Sequence, residues 1–333
     1  MINPGKLDAE KRDSICVSCH LEGDISVKRS GRSAIEFKPG DPISDYLSFF
    51  VFEGKDTSQR GVSEVEQFSQ STCKRASGDK MSCTSCHDPH YTPQPADRVT
   101  FYRHKCLTCH NQAAFALSHH PEKADCTGCH MPRGGAENIP HVAWTDHRIR
   151  RVPDVGPGSK NQKDDGALVP IFSPRSTARD LAMAYYLAVM DGDSAFGPRA
   201  YQLLESLKPN LSTDIEALDA LGILTSKAGN NQAAATFFQQ TLRTDPDDLT
   251  ALLNLGTLAA KSGKSQDAIA FWQPVFERNQ DVVGLAKNLA TIECMAHDIA
   301  GAQATLEKTL RYNPGLEDVQ LMLGKLPACS AGR

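Results

Sequence analysis

The sequence predicts a mostly α protein in two parts. The first is loop-rich with short helices, and the second is an α-solenoid of helix pairs. Three observations predict this. Nine of the eleven cysteines lie before residue 130, and ten of the eleven histidines lie before residue 150. A stretch rich in Pro, Gly and polar residues runs from Val152 to Gly166 and reads as a linker. Beyond it the chain is rich in Ala and Leu and resembles itself every 34 residues. The expected division is therefore 1–150, a linker over 151–176, and a solenoid over 177–333, in keeping with the two or three domains that 333 residues suggest.

Bulk properties exclude two classes. The longest apolar stretch, Leu181–Met190, is far short of the roughly 18 residues that span a bilayer, and mean hydropathy is −0.38. A membrane-spanning helix is thus not expected. The net charge of −4 leaves no basic footprint for nucleic acid. The first amino acids, Met1 to Arg12, contain neither an apolar run nor a small-residue cleavage site, so no export signal is legible there.

The first 150 residues show little regular patterning. Turn formers recur at Pro39-Gly40, Asp41-Pro42, Asp88-Pro89 and Gly134-Gly135, and short helices are expected around Asp45–Phe50 and Glu64–Ser71. A segment of this kind is either disordered or organised by something that is not polypeptide.

One five-residue word appears there four times. It reads Cys16-Val-Ser-Cys19-His20, Cys83-Thr-Ser-Cys86-His87, Cys106-Leu-Thr-Cys109-His110 and Cys126-Thr-Gly-Cys129-His130. This is the word for covalent c-type haem attachment. Two thiols three positions apart on one tight turn reach the two vinyl groups of one porphyrin. The next residue then places its imidazole under the iron. The rival readings are two tetrathiolate zinc sites or a thioredoxin-like redox pair, and neither requires histidine at the fifth position. With histidine at 11 of 333 positions, four such hits by chance have a probability of roughly one in a million. The reading is four c-type haems, with Cys16, Cys19, Cys83, Cys86, Cys106, Cys109, Cys126 and Cys129 as thioether residues. His20, His87, His110 and His130 are the proximal iron ligands.

Electron-transferring haem is usually closed on both faces by His or Met. The distal candidates are His90, His104, His119, His120, His141 and His147. No histidine lies between Leu21 and Cys86, so the distal ligand of the first haem comes from far along the chain, or is Met81 or Met131, or is absent. His90 lies too near His87 to reach the far side of the same haem and would serve a neighbour. One of the adjacent pair His119 and His120 is expected to be a ligand and the other a surface residue. His104 is a ligand or simply exposed. Six candidates for four irons leave two over, by chance or because further haems precede this segment. Cys73 lies outside any pair and reads as a free or buried thiol.

The sequence resembles multihaem c-type cytochromes fused to tetratricopeptide repeats. The resemblance rests on the four CxxCH words and their company: Cys83-Thr-Ser-Cys-His-Asp-Pro-His90, Cys126-Thr-Gly-Cys-His-Met-Pro132 and Thr145-Asp-His-Arg-Ile149. It implies a periplasmic or cell-surface location. It also implies additional haem motifs before the point where this chain begins, hence an N-terminal truncation.

The second half aligns in steps of 34 at Leu187-Ala188, Leu221-Gly222, Leu255-Gly256, Leu289-Ala290 and Leu323-Gly324. Twelve residues after each small residue stands an alanine (Ala200, Ala234, Ala268, Ala302). Four further on stands Leu204, Phe238, Trp272 or Leu306. This is the tetratricopeptide (TPR) pattern of antiparallel helix pairs. Three repeats are expected at 214–247, 248–281 and 282–315, with a degenerate one from Leu181 and one capping helix. Phe237, Phe238, Phe271 and Trp272 read as core. Cys294 and Cys329 fall on neighbouring first helices, whose axes pack about 8–10 Å apart, and are expected to remain unbridged.

The leading functional reading is an extracytoplasmic electron carrier whose partners are a redox protein and a peptide or protein on the concave TPR face. The alternatives are a multihaem reductase of a small nitrogen or sulfur oxyanion, with Arg103, His104, Lys105 and Arg148 as candidate substrate-facing residues, and a TPR scaffold with a vestigial haem domain. Four intact proximal histidines and the histidine surplus favour closed irons over the reductase.

Overall fold

The computed structural model describes residues 2–54, 61–111, 125–135, 143–151, 166–172 and 175–329, side chains 143 and 327–329 excepted. The chain forms two compact units, Met1–Phe196 and Gly197–Arg333. It is mostly α, as the sequence predicts, with a helical repeat region.

In the first unit, α1 (Ala9–His20) starts at Asp8, whose carboxylate accepts the Lys11 N–H at 3.0 Å. Strands β1 (Ile25–Lys28) and β2 (Leu47–Phe52) follow. Then come α2 (Glu64–Gln70), α3 (Thr72–Ser77), α4 (Cys83–Cys86), α5 (Arg98–Leu107) and α6 (Cys126–His130). A two-stranded ribbon pairs β3 (Arg133–Gly135) with β4 (Ala143–Thr145). Strand β5 (Leu168–Ile171) joins the first sheet, whose order is β1-β2-β5, all antiparallel.

Two expectations change here and one holds. The helix expected around Asp45–Phe50 is instead mostly β2, because Leu-Ser-Phe-Phe-Val-Phe is an aromatic run that favours a pleated surface over a helix. The helix expected at Glu64–Ser71 is present as α2. The first unit also owns a small apolar core, in which Val17, Leu21, Ile43 and Phe49 pack together.

The boundary between the parts also moves. The expected linker over 151–176 contains β5, and the helix expected to open the solenoid, α7 (Ala178–Met190), belongs to the first unit. Side chains hold it there. Asp180, 1% exposed, accepts from Arg29 Nη1 at 2.5 Å and Ser48 Oγ at 3.2 Å. Arg179 donates to the Lys28 carbonyl at 2.8 Å. The fully buried Tyr185 hydroxyl accepts the Leu168 N–H at 2.9 Å. Nothing in the 34-residue periodicity reveals these cross-element bonds.

The second unit starts with α8 (Gly197–Leu207). Three helix pairs follow: α9 (Ile215–Lys227) with α10 (Asn231–Thr244), α11 (Leu249–Lys261) with α12 (Ser265–Arg278), and α13 (Val283–Met295) with α14 (Ile299–Tyr312). Helix α15 (Glu317–Cys329) comes last. First helices start at 215, 249, 283 and 317, and second helices at 197, 231, 265 and 299, each step being 34 residues. The aligned alanines 200, 234, 268 and 302 are fully buried, as are Leu204, Phe238 and Leu306, while Trp272 is 5% exposed. The small residue of each word earns its place by close approach. A Cβ on Gly222 would lie 2.6 Å from the Phe238 ring, and one on Gly256 within 2.3 Å of Trp272 ring carbon. The large residue therefore packs directly against the first helix of its own repeat. The turns within the pairs use a left-handed residue at the same register: Gly229 (φ 86°), Gly263 (φ 72°) and, without glycine's freedom, His297 (φ 63°).

Cys294 is disulfide-bonded, which corrects the expectation that it stays free. Axes about 8–10 Å apart do not forbid a bridge, because each Cα stands about 2.3 Å off its own axis and facing pairs come much closer. The side chain of Cys329 lies outside the described residues.

The solenoid also buries a carboxyl group. Asp219 accepts from Thr241 Oγ1 at 2.9 Å, and burial together with the neighbouring Asp248 raises its pKa to about 7. The unfolded chain ionises this group near 3.8, so the folded form holds its proton longer. The stability it contributes is complete below about 3.8, declines as pH rises, and is gone above about 7. Asp219→Asn, which keeps the Thr241 bond without the charge, is expected to stabilise the repeats at pH 8 by about 1–3 kcal/mol. It should also flatten this slope. Hydrogen exchange in α9 at pH 5 and pH 8 measures both, and an unchanged slope in the variant would refute the assignment.

Candidate haem-binding site

All four CxxCH words lie in the first unit, each on a helical turn. Cys16 and Cys19 occupy the last turn of α1, and His20 ends that helix. Cys83–Cys86 is itself a single turn, begun by the Ser82 N–H bonding to Ser85 Oγ at 3.0 Å, with His87 following in extended conformation. Cys106 ends in α5, and the chain turns there, the N–H groups of Cys109 and His110 both reaching the Cys106 carbonyl. Cys126–His130 is α6, capped by Asp125, which accepts the Gly128 N–H at 3.0 Å. Residues three apart on a turn share a face, so each word presents two thiols on one side.

None of the eight thiols is buried or bridged. Cys19, Cys109 and Cys129 are exposed, and the other five are half-buried. The words are neighbours in space. Cys16 and Cys83 share a hydrogen bond that lowers the first thiol and raises the second. Burial pushes Cys106 up to about 11, helped by the charge and hydrogen bond of Cys126. Cys73 is free, as expected, and half-buried, close enough to Cys109 for its thiol to be raised further beyond the effect of burial.

The histidines are held by one ring nitrogen. His130 Nδ1 lies 2.6 Å from the Arg150 carbonyl oxygen. His20 Nδ1 faces Glu64 Oε2 at 3.5 Å, and His87 Nδ1 faces the Tyr102 hydroxyl at 3.5 Å. A backbone carbonyl or carboxylate on Nδ1 leaves Nε2 as the metal-binding atom, which is how ligating histidines are commonly oriented. Desolvation, then His147 and His20, lower the pKa of His87, which favours the neutral ring that can ligate iron.

Of the distal candidates, His90 and His104 are exposed. The His90 N–H bonds to Asp88 Oδ1 at 2.9 Å. His147 is half-buried and sits beside His87, ring centres 6.2 Å apart and planes inclined at 33°. His119, His120 and His141 lie outside the described residues. Among the candidate substrate-facing residues, Arg148 is engaged by Asp146, donating from Nε at 2.9 Å and Nη2 at 2.6 Å. Lys105 lies over the Phe101 ring.

Four residues with a hand in this site escape sequence reasoning: Glu64, Gln67, Tyr102 and Arg150. Their roles come from contacts across 15 to 80 positions, and no local word marks them.

Among the described residues, no group of three or more His, Cys, Asp or Glu is placed to hold a metal ion directly. Each word instead offers two accessible thiols and one imidazole, which is the donor set of covalently attached haem. The residues present fit that group.

Fold and site together define a CXXCH-bearing, haem-binding segment joined to a tetratricopeptide-repeat unit, the latter a protein-interaction module. Comparison with protein families places the two halves separately. Residues 76–115 match the doubled CXXCH motif, and residues 226–292 match the tetratricopeptide repeat. No curated protein matches the chain. Among solved structures, MamA AMB-1 is 19% identical with a TM-score of 0.40, over 45% of this chain and 78% of that one. A tetratricopeptide repeat protein from Parabacteroides merdae ATCC 43184 is 18% identical with a TM-score of 0.40, over 45% and 60%. Pseudomonas aeruginosa pilF is 20% identical with a TM-score of 0.38, over 45% and 67%. No helix of the described residues is long and apolar enough to cross a membrane.

Proposed function

We propose that this chain is an extracytoplasmic electron carrier that binds four covalent c-type haems on its first unit and docks a redox partner protein through its repeats. The observation that carries the reading is the shared geometry of the four words. Each is a helical turn with both thiols on one face and an imidazole directly after it, and the thiols of successive words lie near one another. Haem, when bound, supplies one-electron chemistry. The polypeptide's part is to anchor each porphyrin edge through two cysteines, to orient the axial imidazole through its Nδ1 partner, and to keep successive sites close.

Location outside the cytoplasm is supported by the bridged Cys294, since structural disulfides persist in oxidising compartments. Partner docking is supported by a groove of about 310 Å³ on the solenoid, lined by Leu253, Trp272, Val275 and Leu285 with Asn279 and Asn288 at its polar positions.

The test is to export the full chain in cells that carry haem-ligation machinery. The polypeptide should gain the mass of four haems and give a peroxidase-positive band after denaturation. Its spectra should be low-spin in both redox states. Absence of covalent haem would overturn the reading. Rapid carbon monoxide binding to an iron of the native chain would convert it from carrier to reductase.

A further inference from the structure

The geometry points to His147 as the second axial ligand of the haem anchored by Cys83, Cys86 and His87. The inference deepens the haem reading above and rests on it. A ring nitrogen binds a transition metal at about 2.0–2.1 Å, and a ring centre lies a little over 1 Å behind its nitrogen. Two imidazoles on opposite faces of one iron therefore have centres about 6 Å apart. The His87 and His147 centres are 6.2 Å apart. The 33° between the planes is compatible with both rings pointing at a common atom, since axial imidazoles rotate about the axis they share.

The protein holds His147 for this task. Its Nδ1 lies 2.7 Å from the Thr145 carbonyl oxygen. A carbonyl can only accept, so Nδ1 carries the hydrogen and Nε2 keeps the lone pair. The His147 backbone N–H donates to Gln67 Oε1 at 2.8 Å. Gln67 is 1% exposed and is itself fixed by donating from Nε2 to Ser63 Oγ at 2.7 Å. On the other side, Asp146, 1% exposed, grips Arg148 with both oxygens. The loop that presents His147 is thus tied to α2 at one residue and braced by an internal ion pair at its neighbours. His87 Nδ1 faces the Tyr102 hydroxyl at 3.5 Å, which occupies that ring nitrogen and leaves Nε2 as the other ring atom available to the iron.

The link also carries structural weight. It joins the second word to a residue 60 positions later, so occupation of this site would fasten the β3–β4 ribbon to α4.

His147→Ala, made in the exported full-length holoprotein, tests the assignment by spectroscopy. Whole-protein mass is expected to stay at the wild-type haem count, because attachment needs only the thiols. Electron paramagnetic resonance should show one iron per chain moving from low-spin to high-spin, and carbon monoxide should bind one additional iron per chain. His147→Met, which supplies a different sixth ligand, should return that iron to low-spin with a shifted spectrum. His90→Ala should leave the His87 iron unchanged. Full haem content with every iron still low-spin in His147→Ala overturns the pairing and leaves the haem reading intact. No covalent haem in the wild-type chain overturns the reading beneath it.

Discussion

An Asp180→Ala variant is expected to cost the first unit about 3–5 kcal/mol and to detach α7 from the sheet. Asp180 is 1% exposed and is the meeting point of four groups. Arg29 donates to it at 2.5 Å, Ser48 at 3.2 Å and the Thr177 N–H at 2.8 Å, and Arg179 stands 3.9 Å away. It also completes the reciprocal cap that starts α7 with Thr177. Alanine leaves Arg29 largely out of water with its remaining partners being the carbonyl oxygens of Ser44 and Arg175, neither of which carries a full charge. Breaking a buried pair by removing one member costs more than the pair contributes, so Arg29→Met with Asp180→Leu should recover much of the loss. Hydrogen exchange over 25–28, 47–52 and 178–190 reads the effect locally. Protection in α7 that survives Asp180→Ala would show that apolar contacts alone hold this helix.

The same residue explains where the sequence was legible and where it was not. The repeat unit could be read because one physical requirement recurs every 34 residues: a small residue under a large one, as at Gly222 beneath Phe238 and Gly256 beneath Trp272. Local order follows from local sequence, and helix starts fall on the expected register throughout. Leu187-Ala188 satisfies that pattern too, yet Arg179, Asp180 and Tyr185 of the same helix bond to β1, β2 and β5, more than 100 positions away in the first two cases. β2 was read as helix for a related reason. A six-residue apolar run has no decisive period, and its sheet partners lie on both sides in sequence, at Ile25–Lys28 and Leu168–Ile171. In the candidate site the CxxCH words are legible, because each is a fixed local pattern of two thiols and an imidazole. The residues that orient the imidazoles were not, because a carbonyl or a glutamine serves from anywhere that the fold can deliver it.

Removing one CxxCH pair at a time is expected to remove one haem at a time. On the proposed reading both thiols of a word attach to one porphyrin, so Cys126→Ser with Cys129→Ser should lower the covalent mass from four haems to three. The double variants at Cys16 and Cys19, Cys83 and Cys86, and Cys106 and Cys109 should each do the same. A single change such as Cys129→Ser leaves one thioether and should leave the mass count at four. The pattern separates haem from zinc without assuming either. A tetrathiolate zinc site takes two words, so loss of any one pair would remove half of the bound metal rather than a quarter. The thiols that touch across words sharpen the expectation. Cys16 shares a hydrogen bond with Cys83, and Cys106 with Cys126, so zinc would group the words as first with second and third with fourth. Paired losses along that grouping, measured by intact mass and metal analysis on the same samples, would establish zinc. Four independent single losses are the outcome expected on the proposed reading, in which each word carries its own set of two thiols and an imidazole and takes nothing from its neighbour.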